Sequence, residues 1–178
     1  TGYYDGIGTF FTSYAVNELG VSEGFAPTLY GLAGVTFILF AIPAGFVGAK
    51  FGRRRTIIAG ILLFGIDMVL GYFVTSSTQM GIVLAISGIG WALINVNTLP
   101  MVIDTSEDER LLGTYTGLYY LASQIGSAIA PGMMGTVIDL FGSNFKTIFI
   151  TGPAFFVLGL IAMTLVTRGE AHVKEPAA

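Results

Sequence analysis

Stretches of about 20 apolar residues recur along the chain, and short polar or glycine-rich segments separate them. A bilayer hydrocarbon core about 30 Å thick takes roughly 20 helical residues to cross. Backbone polar groups cannot be left unpaired in lipid, so each stretch is predicted to form a helix. The strict alternation of apolar and polar residues that is typical of membrane barrel strands is absent from the sequence. The chain is therefore predicted to be an all-α membrane protein.

The composition agrees with this class and excludes several others. Hydrophobic residues make up 53% of the chain and charged residues 11%, whereas soluble domains carry about 25% charged residues. The net charge of −3 and the lack of a basic stripe argue against a nucleic-acid partner. Cysteine is absent and His172 is the only histidine, so thiolate catalysis and a zinc site are unsupported. No cofactor is predicted.

Six membrane helices are predicted from the apolar stretches. They cover about residues 2–19, 24–49, 56–74, 80–103, 107–140 and 145–167. Residues 1–168 are predicted to form one six-helix unit, followed by a solvated tail over 169–178. Ser22 is suited to cap the second helix, and the spacing of Ser106 and Glu109 predicts a capping box at the fifth. The connections are short, so successive helices are expected to be antiparallel neighbours.

The distribution of basic residues predicts the orientation. With six crossings, seven of the eight Lys and Arg residues fall on one side and Lys146 alone falls on the other. Basic residues accumulate on the cytoplasmic side of membrane proteins. The Arg53–Arg55 loop and the C-terminal tail are therefore expected to be cytoplasmic, in a multi-pass protein of a plasma or inner membrane.

The link between the second and third helices reads GFVGAKFGRRR from Gly45 to Arg55. It resembles the cytoplasmic loop signature of the major facilitator superfamily, in which Gly45, Gly52, Arg53 and Arg54 match and Ala49 stands where the family usually has Asp. The arginines suit either a gating role or a simple anchor on the inner face. Asp104, on the same side, is a candidate partner for them.

Further stretches extend the resemblance over nearly the whole chain. Residues 10–22 resemble the outer half of the family's seventh helix. Residues 88–100 and 113–120 resemble the tenth and eleventh helices of its sucrose/cation symporter-like branch. The resemblance implies that this is the C-terminal half, with the first and fourth helices along a central cavity. It also implies that the second and fifth flank that cavity, that the third and sixth face lipid, and that an N-terminal half upstream of Thr1 supplies the other wall.

Asp5 is the first candidate for chemistry, because polar groups inside membrane helices are costly and tend to be functional. At 1.5 Å per residue it lies roughly 20 Å inward of Glu18, and Thr9 and Thr12 continue its face. A carboxylate that loses water there can bind a proton and couple transport to a gradient. The alternatives are a pair with a residue of the upstream half and a position near the membrane surface.

Trp91, Asn95 and Thr98 share one face of the fourth helix, with Asn97 close by. An indole ring beside a carboxamide suits a sugar, whose ring stacks while its hydroxyls form hydrogen bonds. The alternative is that the asparagines join neighbouring helices, as they often do in membranes.

Thr116, Tyr120, Gln124 and Ser127 form a polar stripe on the fifth helix. Helix packing is the favoured reading of this stripe, and Tyr120 and Gln124 are the candidates for substrate contact. Asp67 lies within the third helix, and the sequence suggests no role for it.

These residues favour secondary active transport of a small polar solute such as a sugar, driven by protons or another cation. The predicted partners are that solute, the coupling ion, the lipid bilayer and the upstream half. A non-transporting assembly or sensor module is the alternative. An intramembrane enzyme is disfavoured because the sequence shows no nucleophile and base constellation and no phosphate-binding loop.

Overall fold

Seven helices form the part of the chain that the computed structural model describes, which is residues 2–106 and 108–170, with residues 2 and 3 by backbone alone. They are α1 Gly2–Leu19, α2 Phe25–Phe51, α3 Arg53–Phe73, α4 Ser77–Ile103, α5 Leu112–Leu140, α6 Thr147–Ile150 and α7 Gly152–Leu165. A 3₁₀ turn, Glu109–Leu111, precedes α5. Over those residues all regular structure is helical, which confirms the predicted fold class.

Five segments are long and apolar enough to cross a membrane. They are Phe25–Phe51, Arg53–Phe73, Ser77–Ile103, Glu109–Leu140 and Thr147–Leu165. The helix α1 has 18 residues but is not among the five, because Asp5, Asn17 and Glu18 lower its hydropathy. Composition alone therefore does not identify α1 as a membrane crossing, and its place among the six stays a prediction.

The start of α5 differs from the prediction. The helix begins at Leu112 rather than near residue 107, and the carboxylate of Asp108 caps the preceding turn by accepting from the Arg110 N–H at 2.9 Å. The Ser106 hydroxyl donates to the Asp108 carbonyl at 2.9 Å. The predicted capping box of Ser106 and Glu109 is therefore wrong. By contrast, Ser22 does accept from the N–H of Phe25 at the start of α2, at 3.3 Å.

The predicted last helix is divided into two pieces, α6 and α7, which meet at Thr151. Pro153, at the start of α7, has no N–H to donate to the carbonyl four residues earlier, so the helix is interrupted there.

The predicted solvated tail also needs correction at its first residue. Gly169 is buried against the carbonyl of Met101 at the end of α4. Residues 171–178 of that tail lie outside the described residues.

The centre of the bundle is α4, which packs against both α2 and α3. Gly88 of α4 lies against the backbone of Ala33 and Phe37 in α2. On the other side, a Cβ at Gly60 of α3 would come within 2.8 Å of the Gly90 carbonyl oxygen. Small residues permit such close approach between membrane helices, whose association depends on packing because lipid is as apolar as their side chains.

Two ion pairs mark opposite ends of the bundle. Lys146 lies 3.7 Å from Glu18, which places the end of α1 beside the start of α6. Arg53 pairs with Asp104, which joins the α2–α3 link to the end of α4. The arginine-rich link and Lys146 are thus at different ends, in agreement with the antiparallel order of the helices.

We predict that Gly88→Ala lowers the free energy of unfolding by about 1–3 kcal/mol, because the added methyl group overlaps the Ala33 carbonyl and forces α2 and α4 apart. Gly31→Ala is the matched control, since Gly31 is an exposed α2 residue with open space around it. The Gly31→Ala variant is expected to be as stable as the parent protein or more stable. Denaturant unfolding in detergent micelles measures both, and equal stabilities of the two variants would contradict this packing.

Candidate substrate and coupling site

Tyr4 is the centre of an aromatic cluster to which four helices contribute. Its ring stacks on Trp91 of α4 with the centroids 4.7 Å apart and the planes 6° from parallel. The rings of Tyr30 and Phe64 lie 5.8 Å and 6.1 Å from it. The Tyr30 hydroxyl also donates to the Tyr4 carbonyl at 3.4 Å. This cluster holds the first turn of α1 against α2, α3 and α4.

Asp5 follows Tyr4 and lies on the side of α1 that meets α5. The Ser127 hydroxyl is 2.5 Å from a carboxylate oxygen of Asp5 and 3.1 Å from the Ser123 carbonyl. A Cβ at the neighbouring Gly6 would lie 3.4 Å from the Ala130 carbonyl oxygen, so the two helix backbones approach closely here. The carboxyl group of Asp5 is thus in contact with a hydroxyl from α5.

The two threonines of α1 differ in their surroundings. Thr9 is exposed, and its hydroxyl donates to the backbone carbonyl of Asp5 at 2.9 Å. Thr12 is half-buried. Thr9 is therefore the more open of the two.

On α4 the predicted face is only partly open. Trp91 is half-buried with one ring face covered by Tyr4, and the Thr98 hydroxyl donates to the Ile94 carbonyl of its own helix at 2.5 Å. In the described part of the chain, no hydrogen bond joins the half-buried Asn95 side chain to another residue. Asn97 instead makes the interhelical contact, since its buried amide donates to the Ala44 carbonyl of α2 at 3.1 Å.

Tyr120 and Gln124 are both exposed on α5, one after the other on the face that leads to Ser127. The Tyr120 side chain is 51% exposed and packs at its edge on Tyr119, with the ring centroids 5.3 Å apart. In the described part of the chain, neither side chain is hydrogen-bonded to Asp5. The structure therefore brings Asp5 together with Ser127 and leaves Tyr120 and Gln124 as an open continuation of that face.

The larger cavities do not coincide with these residues. One of about 320 Å³ lies between α5 and the α6–α7 segment and is lined mainly by apolar side chains such as Ile129, Met133 and Phe155. Another of about 320 Å³ lies between α3 and α7 and is equally apolar. We do not assign either as a binding site for a polar solute, because such sites need a few convergent polar groups.

At the arginine-rich end of the bundle, the loop motif forms a junction of four helices, α2, α3, α4 and α7. Gly52, with φ of +98°, is the one residue between α2 and α3, and glycine tolerates this conformation best. The Arg54 guanidinium donates from Nε to the Met163 carbonyl at 2.9 Å and from Nη2 to the Thr164 carbonyl at 2.8 Å. Arg53 pairs with Asp104. Gly45 lies earlier in α2, before this junction, near Val96 of α4.

The sequence-family model of the Major Facilitator Superfamily matches residues 3–178 of the chain. The chain belongs to the Major Facilitator Superfamily. With this membership and its apolar helices, it is an integral multi-pass membrane protein.

Several curated members of the superfamily are similar in sequence. The cis,cis-muconate transport protein of Acinetobacter baylyi is 32% identical over 171 residues, which are 95% of this chain and 40% of that protein. Dipeptide and tripeptide permease B of Shigella dysenteriae is 31% identical over 79% of this chain and 29% of its own length. The drug efflux pump JefA of Mycobacterium tuberculosis is 24% identical over 92% of this chain and 30% of its own length. The chain spans less than half the length of these relatives.

Two residues of this superfamily member, Tyr4 and Tyr30, carry contacts that sequence reasoning missed, and they join α1 to α2, α3 and α4. Asn97 joins α4 to α2, which is the alternative that the sequence left open for the asparagines. For the tyrosines, the available sequence signal was a ring that carries a hydroxyl group within a largely apolar helix, where that hydroxyl needs a partner. Nothing in the helical spacing distinguishes Asn97 from Asn95, because the deciding feature is the space that Gly48 leaves on the facing helix.

We predict that Arg54→Gln lowers the free energy of unfolding by about 1–3 kcal/mol, because two carbonyls in the last turn of α7 lose charged hydrogen-bond donors. Arg55→Gln is the matched control, since Arg55 is exposed, and it is expected to change stability by less than about 0.5 kcal/mol. Denaturant unfolding in micelles measures both. A smaller loss for Arg54→Gln than for Arg55→Gln would show that this junction does not stabilise the bundle.

Proposed function

We propose that residues 1–168 form the C-terminal six-helix half of a secondary active transporter for a small polar solute, and that residues 169–178 are its cytoplasmic tail. Superfamily membership and the relatives named as permeases, pumps and transport proteins point to a transporter and not to an enzyme. Because the chain spans less than half of those relatives, the proposal includes an N-terminal half that supplies the second wall of the cavity. Transport then proceeds by rocking of the two halves about a central site.

The observation that carries this proposal is the position of Asp5. Asp5 lies in α1 and is half-buried, and its carboxyl group accepts from the Ser127 hydroxyl of α5. Around it Thr9, Tyr120 and Gln124 are exposed in the described chain. Such a polar surface on otherwise apolar helices is expected to face a water-filled path rather than lipid.

We further propose that Asp5 couples transport to protons. An ionised carboxylate only accepts hydrogen bonds, whereas a protonated one can also donate. Ser127 can donate to the ionised form, so proton binding weakens or reverses this contact between α1 and α5. Protonation and the packing of two cavity helices are linked in this way, which is what coupling to a gradient requires.

The substrate that we propose is a small polar solute that contacts Trp91, Asn95 and Thr98 on α4, together with Thr12 of α1. A sugar is the candidate that the indole ring and the neighbouring amide favour. It would have to stack on the ring face opposite Tyr4, which covers the other. The relatives are named for muconate, small peptides and drugs, so a substrate panel should contain a sugar, a dicarboxylate and a dipeptide.

For the orientation, we propose that the junction of Gly52, Arg53 and Arg54 faces the cytoplasm. The excess of basic residues at this end supports it, and the pairs Arg53–Asp104 and Glu18–Lys146 lie at opposite ends of the bundle. The first turn of α1 packs against the middle of α3, α4 and α5, so Asp5 lies between the two ends of the bundle.

We predict that the 178-residue chain alone, reconstituted in liposomes as a strict monomer, shows no solute uptake, because six helices form only one wall of the cavity. Co-reconstitution with its N-terminal half is expected to produce saturable uptake from the substrate panel. Uptake is measured with radiolabelled solutes, and empty liposomes with either half alone are the controls. Saturable uptake by the monomeric chain would refute the half-transporter proposal.

In the two-half transporter, Asp5→Asn is expected to abolish accumulation driven by a pH gradient and to spare counterflow, because the neutral amide cannot bind the coupling proton. With one proton per solute, a gradient of one pH unit sustains about tenfold accumulation, since tenfold equals about 1.4 kcal/mol. The variant should reach a ratio of about one.

Glu18→Gln is the matched control for Asp5→Asn, because it removes an acid from the outer end of the same helix. It is expected to accumulate solute as the parent protein does. Full accumulation by Asp5→Asn would remove Asp5 from the coupling role and leave the transport proposal standing.

A further inference from the structure

Asp67 of α3 is a second carboxyl group inside the bundle, and the proposed transport site does not use it. Its side chain is 1% exposed, and neither carboxyl oxygen has a hydrogen-bond partner in the described part of the chain. Ser87 of α4 lies beside it, is 2% exposed, and its hydroxyl is also without a partner there. An isolated charge in such surroundings costs several kcal/mol, more than a neutral acid does.

The helices around α3 bring no counter-charge to Asp67. Among them, α4, α6 and α7 contain no Asp, Glu, Lys, Arg, His or Tyr. From α1 and α2 the phenols of Tyr4 and Tyr30 line the cavity beside Ser87. The Tyr14 hydroxyl of α1 is buried and without a partner among the described residues. Arg55, on α3 itself, is twelve residues and about 18 Å away.

A small cavity lies next to Ser87. It measures about 10 Å³ and is bounded by Tyr4, Tyr30, Phe64 and Met68 as well as by Ser87. This volume is at the lower limit of the space that one water molecule needs. Ser87 and the two tyrosines are its polar lining, and the other residues around it are apolar. The cavity therefore leaves Ser87 room for about one water molecule on the α1 side.

We propose that Asp67 and Ser87 form a buried proton-binding site, separate from Asp5, in which Asp67 carries the proton in this conformation. The close approach of Gly60 to Gly90 packs α3 tightly on α4, so the site is closed to solvent. Release of the proton requires these two helices to separate.

On release, the carboxyl O–H bond of Asp67 breaks, and a new O–H bond forms on a water molecule that enters from the cavity. Asp67 becomes a carboxylate, and the Ser87 hydroxyl donates to it. The charge is then compensated only while water and Ser87 both reach it. Occupancy by a proton is thereby tied to the packing of α3 on α4, and it does not depend on Asp5 being the coupling group.

Infrared spectroscopy of the purified 178-residue chain in lipid at neutral pH tests the site. The parent chain is expected to show the carbonyl stretch of a protonated carboxyl group, and Asp67→Asn is expected to remove it. Asp5→Asn is the matched control and should retain the band, because it changes the carboxyl group of the proposed coupling site and leaves Asp67 intact. A band unchanged by Asp67→Asn would show that Asp67 is ionised and overturn the proposal.

Ser87→Ala provides an independent readout if Asp67→Asn does not fold, as judged by helical circular dichroism and gel filtration. Removing the neighbouring hydroxyl should shift the carbonyl band without abolishing it, whereas an unshifted band would exclude Ser87 from the site. The measurement needs neither a substrate nor a second half. Failure of the proposed transport function and failure of this site are therefore distinguishable.

Discussion

The close approach of α4 to its two neighbours is the contact on which the rest of the bundle depends. Helices in lipid gain little from burying apolar surface, so they associate through tight packing and hydrogen bonds between them. Gly88 of α4 lets the backbone of α2 come close on one side. On the other side, Gly60 of α3 lies against the backbone of α4 at Gly90. This spacing brings the Asn97 amide within 3.1 Å of the Ala44 carbonyl. The aromatic cluster then places α1 against the same three helices.

The length and apolarity of the helices were predictable from the sequence, because the thickness of the bilayer and the need to pair backbone groups leave few choices. Local exceptions were not. The start of α5 depends on a cap by Asp108, and the interruption between α6 and α7 lies where Pro153 removes a donor. The burial of Gly169 depends on its contact with the end of α4. No local sequence pattern reveals that contact, so the sequence predicts a solvated residue there.

For the candidate site, helical spacing predicts which side chains share a face but not which helix that face meets. Asp5 was recognisable as a costly polar residue, and its place in transport stays a proposal. Its contact with Ser127 spans 122 residues of sequence, and the stacking of Tyr4 on Trp91 is equally long-range. The loop motif is an exception, because the predicted orientation already makes Asp104 a candidate partner for the arginines, and Arg53 pairs with it.

The single residue between α2 and α3 has a mechanical consequence. Gly52 leaves no slack between these helices, so an axial shift or a rotation of α2 is transmitted directly to α3. Between α4 and α5 the described residues 104–106 and 108–111 form a longer link, so a shift of α4 is passed less directly to α5.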